Sequence, residues 1–83
     1  MEEFKNLPKI NLIIVLDNVR SLNNIGSIFR TADAFRVKAI YLCGITARPP
    51  HREIEKTALG ATLSVEWNYF EKTLDAINVL KKK

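Results

Sequence analysis

Three positions in the run from Asp17 to Phe35 combine residue types that could do chemistry: an amide at Asn24, a bare backbone at Gly26 and a guanidinium at Arg30. Asn24 and Arg30 are six residues apart, with Gly26 between them. An amide donates and accepts hydrogen bonds, and a guanidinium is a permanent cation with five donors. A glycine lets another backbone approach closely. If the segment opens a helix just after a strand, the free N–H groups at its start also favour an anion, and strand ends are where α/β proteins bind ligands. Together these groups suit a phosphate, or an oxygen that gains negative charge. Taken singly, each has a plainer reading: Asn23 or Asn24 as a helix cap, and Arg30 as a surface cation paired with Asp33.

Further basic residues extend this character. Between Arg20 and Lys56 stand seven cations (Arg20, Arg30, Arg36, Lys38, Arg48, Arg52, Lys56) and three acids (Asp33, Glu53, Glu55), within a net charge of +4. A polyanion such as RNA fits this excess; an ordinary solvated surface fits the charge count equally well. Arg20 is a second contact candidate, or a partner of Asp17 across the turn. Arg48, His51 and Arg52 form a candidate RNA-facing loop around Pro49-Pro50, with a solvated loop as the alternative. His51 has no neighbouring Cys or second His, so no metal site is expected. Cys43 is the only cysteine, which excludes an internal disulfide and predicts a cytoplasmic protein. With no basic partner nearby it reads as a small core residue.

The elements that must position these groups follow from the apolar pattern. The chain has 83 residues, 47% hydrophobic and 27% charged, which is a globular composition. The longest apolar run, Leu12 to Leu16, is too short to span a bilayer, and Glu2-Glu3 replace the basic start of a signal peptide. Residues 10–16 predict a strand covered on both faces. Residues 23–35 predict a helix with Ile25, Ile28, Phe29, Ala32 and Phe35 toward the core. A strand over 37–43 stops at Gly44, and a short helix is expected over 51–58. Alternation of Leu63, Val65 and Trp67 with Ser64 and Glu66 predicts a third strand. Asn68 with Glu71 reads as a capping box for a helix over 69–80, with Phe70, Leu74, Ile77 and Leu80 buried. Trp67 and Phe70 read as core rather than base-stacking residues. The order β-α-β-α-β-α implies a parallel sheet joined by helical crossovers. Its thin core and open edges predict a portion of a larger α/β domain.

At Asn24-Ile-Gly-Ser-Ile-Phe-Arg30-Thr-Ala the sequence resembles the first motif of the SpoU/TrmH family, RNA ribose 2′-O-methyltransferases of the SPOUT class. The resemblance runs on through Ala34-Phe35, the strand from Lys38 to Leu42, and Lys56-Thr-Ala-Leu-Gly-Ala61, covering about Ile10 to Trp67. It implies an α/β fold whose C-terminal part is tied in a trefoil knot, S-adenosylmethionine bound in that knot, RNA as substrate and a homodimer. By the same resemblance, Arg30 is the catalytic or phosphate-holding arginine and Asn24 helps to organise the site. The family's later motifs, of the Asn-Glu-x-x-Gly and Ser-Leu-Asn types, do not occur here. Ser21-Leu22-Asn23 matches the latter only as a tripeptide and lies on the wrong helix. Residues 1–83 are therefore expected to be the N-terminal portion of one SpoU-type domain, without the knot-forming part or the cofactor site, and inactive alone.

A ribose 2′-hydroxyl is a weak acid, so positive charge near its oxygen stabilises the developing alkoxide. A guanidinium does not serve as a free base. The expected role of Arg30 is thus electrostatic or positional, through the oxygen or the adjacent phosphate. Asn24 would orient Arg30 or the ribose. Gly26 would admit the nucleotide backbone, and Arg20, Arg48 and Arg52 would contact RNA. Competing readings are a non-catalytic RNA-binding module and a structural fragment that self-associates through its sheet edges.

Overall fold

The computed structural model describes residues 10–82. Three strands, β1 (Ile10–Asp17), β2 (Val37–Cys43) and β3 (Glu66–Phe70), form a parallel sheet in the order β1-β2-β3. Leu16 lies beside Leu42, and Leu42 beside Tyr69. Between β1 and β2 runs α1 (Leu22–Ala34). Between β2 and β3 run α2 (Arg52–Ala58) and the single turn α3 (Ala61–Ser64), and α4 (Thr73–Lys81) follows β3.

The pleat divides the core in two. Leu16, Ile40 and Leu42 pack with Ile25, Phe29 and Ala32 of α1, Ile54 and Ala58 of α2, and Ala61 of α3. Ala39, Tyr41 and Cys43 face the other way, against Ala76 of α4, with Val79 and Leu80 alongside. The middle strand is accordingly buried at every position except Lys38. The fully buried Phe29 is central to the larger cluster, and cutting a side chain of that kind to alanine costs about 3–5 kcal/mol.

The strand over 37–43 and the helix over 51–58 lie where the pattern places them, the latter with His51 as its N-cap. Four expectations need correction. First, β1 is an edge strand among the described residues, and Ile10, Asn11 and Leu12 are exposed; β2 is the strand covered on both faces. Second, Phe35 is 66% exposed. It is the C-cap of α1, and Arg36 follows at φ 57°, so the chain leaves the helical path before Phe35 can join the buried stripe.

Third, Leu63 does not begin a strand. Leu59 and Gly60 adopt left-handed backbone, φ 51° and 86°, and the chain then makes the turn α3 with Leu63 93% exposed. Fourth, the Asn68–Glu71 pair caps nothing: Asn68 lies in β3 opposite Tyr41, and α4 starts at Thr73 after Lys72. That offset rotates the last helix, so Ala76, Val79 and Leu80 face the sheet while Leu74 and Ile77 are exposed. No helix among the described residues is long and apolar enough to cross a membrane.

Candidate nucleic-acid interface

The helix carrying the motif is capped by Ser21, two residues before the first of its asparagines. Ser21 holds extended backbone, and its Oγ accepts from the Asn24 N–H at 3.1 Å. A serine oxygen thus satisfies one of the orphan donors of the first turn. Asn24 is relieved of the capping role expected of it. Its side-chain amide is exposed and makes no hydrogen bond among the described residues.

Gly26 is buried, and the reason is the neighbouring helix. A β-carbon there would lie closer than 3.0 Å to both Thr57 Oγ1 and the Ile54 carbonyl oxygen. Thr57 Oγ1 donates to the Asn23 carbonyl at 3.1 Å, with the Ile54 carbonyl at 3.3 Å. The expectation that Gly26 admits a nucleotide is corrected: the space above its backbone is filled by α2, and the glycine sets how closely two helices pack.

That close packing creates the groove in which Arg30 lies. A hollow of about 480 Å³ between α1 and α2 is lined by Ser27, Arg30, Thr31, Ala34, Phe35, Lys56 and Thr57. Arg30 is exposed, and its guanidinium makes no ion pair or hydrogen bond among the described residues, Asp33 included. Lys56 Nζ lies 3.4 Å from Glu53 Oε1, with both side chains largely in solvent, a pair of at most about 1 kcal/mol. The hollow therefore offers two cations to an anion. Arg30 is eight residues into α1, so it lies about 12 Å along the helix from its start. It flanks the helical layer instead of the strand end at which the sequence reading placed it.

Asn24 faces a second hollow of about 520 Å³, shared with Ile14, Val19, Ser27, Ile28 and Thr31. Ser27 and Thr31 line both hollows, so these two residues form the ridge between Asn24 and Arg30. The other expected contacts lie elsewhere on the surface. Arg20 is exposed in the turn before α1 and is not paired with Asp17, whose carboxylate accepts from Asn18 Nδ2 and Thr73 Oγ1. The Arg48 guanidinium stacks on Tyr69, 4.3 Å from the ring centroid. Arg52 is exposed in the first turn of α2, beside His51, whose Nδ1 accepts from the Glu53 N–H at 3.2 Å.

The strand ends are fixed by a latch of short polar side chains. Thr46 is buried; its Oγ1 accepts from the Val19 N–H at 2.9 Å and donates to the Leu16 carbonyl at 3.1 Å. Asn18, itself at φ 54°, accepts through Oδ1 from the Ile45 N–H at 3.0 Å. Tyr69 Oη donates to the Gly44 carbonyl at 2.7 Å. Cys43, at the end of β2, is fully buried on the α4 side of the sheet. Burial pushes its thiol pKa up; a hydrogen bond from Thr73 opposes this and the Asp17 charge adds to it. Among the described residues no three His, Cys, Asp or Glu side chains gather as a metal site would need.

Sequence reasoning did not assign Phe35, Ser27 or Thr31 to the site. The spacing of Ser27, Thr31 and Ala34 was the available signal, since i, i+4 and i+7 share a helix face.

A family model described as the SpoU rRNA Methylase family matches residues 11–83. Comparison with curated proteins gives no match. Among solved structures, the chain is similar to an AdoMet-bound rRNA methyltransferase from Sinorhizobium meliloti, with TM-score 0.79 and 28% identity over 94% of this chain and 30% of that one. A TrmH-family structure from Porphyromonas gingivalis gives TM-score 0.77 and 26% identity over 92% of this chain and 31% of the other. The SpoU methyltransferase AviRb from Streptomyces viridochromogenes gives TM-score 0.79 at 20% identity over 98% and 31%, a likeness of fold alone. The chain thus spans about 30% of the length of the structures it matches.

Proposed function

The chain belongs to the SpoU rRNA methylase family, and on that premise we propose that it forms the RNA-holding part of an enzyme that methylates a ribose 2′-hydroxyl in transfer or ribosomal RNA. The observation that carries this is Arg30: an exposed guanidinium, without a partner among the described residues, in a concave seam with Lys56 on the facing helix. Among the described residues nothing neutralises Arg30, and a phosphodiester supplies an acceptor that matches its fork of donors.

Arg30 then does two things for the acceptor nucleotide. Bound to a phosphate, it fixes the backbone and so fixes where the adjacent hydroxyl points. Placed near the hydroxyl oxygen, its charge stabilises the alkoxide as the proton leaves. Asn24, across the Ser27–Thr31 ridge, offers a free amide to the same strand of RNA. Arg20, Arg48 and Arg52 extend the cationic surface toward the strand ends.

The methyl donor of the AdoMet-bound neighbour carries a sulfonium cation, and the two hollows flanking the Ser27–Thr31 ridge do not fit it. The Arg30–Lys56 hollow has the same sign of charge. The Asn24 hollow has no carboxylate for the donor's amino group. We therefore assign donor binding to residues other than those lining these two hollows and expect the 83-residue chain to bind RNA without transferring methyl groups. A homodimer and a cytoplasmic setting belong to this reading; the first is only what the motif resemblance implies, and a single buried cysteine suits the second.

The test is Arg30→Ala in the enzyme that contains this chain. A 2′-O-methyl group makes the adjoining phosphodiester resistant to alkali, so methylation can be mapped by hydrolysis. Loss of the resistant linkage with donor binding unchanged is the expected result. Normal turnover by the variant would remove Arg30 from the chemistry.

A further inference from the structure

We propose that Phe35 is a stacking platform for one unpaired base, so that the Arg30–Lys56 hollow takes single-stranded RNA in preference to duplex. The inference rests on the RNA reading above and adds to it the form of RNA that the site accepts.

Phe35 is 66% exposed although it is a large apolar side chain on a helix whose other aromatic, Phe29, is fully buried. Helical spacing would place Phe35 with the core, but the C-cap geometry and the left-handed Arg36 turn it out. It arrives in the hollow that holds Arg30 and Lys56. An exposed ring beside two cations is the pairing that single-stranded nucleic acid requires, with the base on the ring and the phosphate on the charges.

The remaining lining agrees with this division. The Ser27 and Thr31 hydroxyls make no side-chain hydrogen bond among the described residues and are free to donate to phosphate oxygens. Thr57 is not, because its proton is committed to backbone carbonyls. Glu53 is held by Lys56 at 3.4 Å in an exposed pair that a phosphate can displace. A volume of about 480 Å³ lies in the range of small-ligand sites, about 300–1,000 Å³. In a duplex the base faces are stacked on one another, so phosphates could reach Arg30 and Lys56 while no base could reach Phe35.

The experiment measures binding of the 83-residue chain to a labelled oligoribonucleotide, single-stranded and annealed to its complement, across a salt series with no methyl donor. The wild type should prefer the single strand. Phe35→Ala and Phe35→Leu should each weaken single-strand binding by roughly 5- to 150-fold, the range of one lost base–aromatic stack, and leave duplex binding unchanged. Neither removes a charge, so the slope of log affinity against log salt should stay the same. Phe35→Tyr should restore affinity. Arg30→Ala should instead reduce that slope by about 0.7.

Equal affinity of the wild type for both forms, or full single-strand affinity in Phe35→Leu, would overturn the stacking role and leave the RNA reading intact. No binding of either form at low salt would overturn both. The leucine variant keeps the apolar bulk, so a folding defect in the alanine variant does not decide the outcome.

Discussion

Thr57 Oγ1 occupies the space that a side chain at Gly26 would fill, and from there it donates to the Asn23 carbonyl at 3.1 Å. One short contact thereby joins the Asn24–Arg30 motif to the Lys56–Ala61 element, the two stretches that carry the family resemblance. It also sets the distance between α1 and α2, and with it the width of the hollow that holds Arg30 and Lys56.

Gly26→Ala should therefore destabilise the chain by about 1–3 kcal/mol, the usual cost of forcing a methyl into packed surroundings. Helix propensity alone would predict the opposite sign, since alanine favours a helix by about 1 kcal/mol over glycine. Removing the facing hydroxyl in Gly26→Ala/Thr57→Ala should recover only part of the loss, because the Ile54 carbonyl remains in the way. Urea unfolding of the two variants gives both numbers; a stabilised single variant would show that the helices separate easily.

Where burial alone dictates structure, the sequence was legible. The strand Val37–Cys43 lies where its residues place it, stopped at Gly44, although the longer apolar run over 10–16 misleads as to which strand is central, since β1 is the edge strand among the described residues. The first helix is found to within one residue because Ile25, Phe29 and Ala32 repeat on one face. Errors arise where a local turn decides. The left-handed pair Leu59–Gly60 makes a helical turn out of what alternation reads as a strand. Asn68 and Glu71 have capping spacing, but strand pairing with Tyr41 claims Asn68 first. The site shows the same split. Arg30 is visible in the sequence as a motif residue. Its association with Lys56 is tertiary, and that with Phe35 depends on how α1 ends, so the apolar spacing announces neither.

Arg30 should be dispensable for folding. It is exposed and unpartnered among the described residues, so Arg30→Ala and Arg30→Lys should unfold within about 0.5 kcal/mol of wild type. Their RNA affinities should separate: the lysine keeps the charge but not the fork, and should retain salt dependence while losing part of the affinity. A large change in unfolding free energy in either variant would show Arg30 to be a structural residue.

Thr46 offers the reverse case, a residue far from the hollow that the fold needs. Its buried hydroxyl serves the Val19 N–H and the Leu16 carbonyl at once. Thr46→Val keeps the shape and removes both bonds, and each orphaned group costs about 1–3 kcal/mol. Thr46→Ser should keep most of the stability. Amide exchange at Val19 should accelerate in the valine variant, since that N–H loses its acceptor; unchanged protection there would mean that the latch is held by Asn18 alone.

Cys43 makes stability fall at alkaline pH. Burial raises its pKa in the folded chain, while an unfolded cysteine titrates near about 8.5. Below that value both states hold the proton, and the buried thiol contributes fully. As pH rises past it, the unfolded chain releases its proton and the folded chain does not, so the unfolded state is favoured progressively until the folded pKa is reached. The difference in unfolding free energy between wild type and Cys43→Ala should therefore be constant around neutral pH and shift against the wild type above about pH 8.5. Thiol alkylation should follow the same logic: at pH 8 the folded chain should react far more slowly than the urea-unfolded chain, because both access and thiolate are withheld. Equal alkylation rates in the two states would mean that α4 lifts readily from Cys43 in solution.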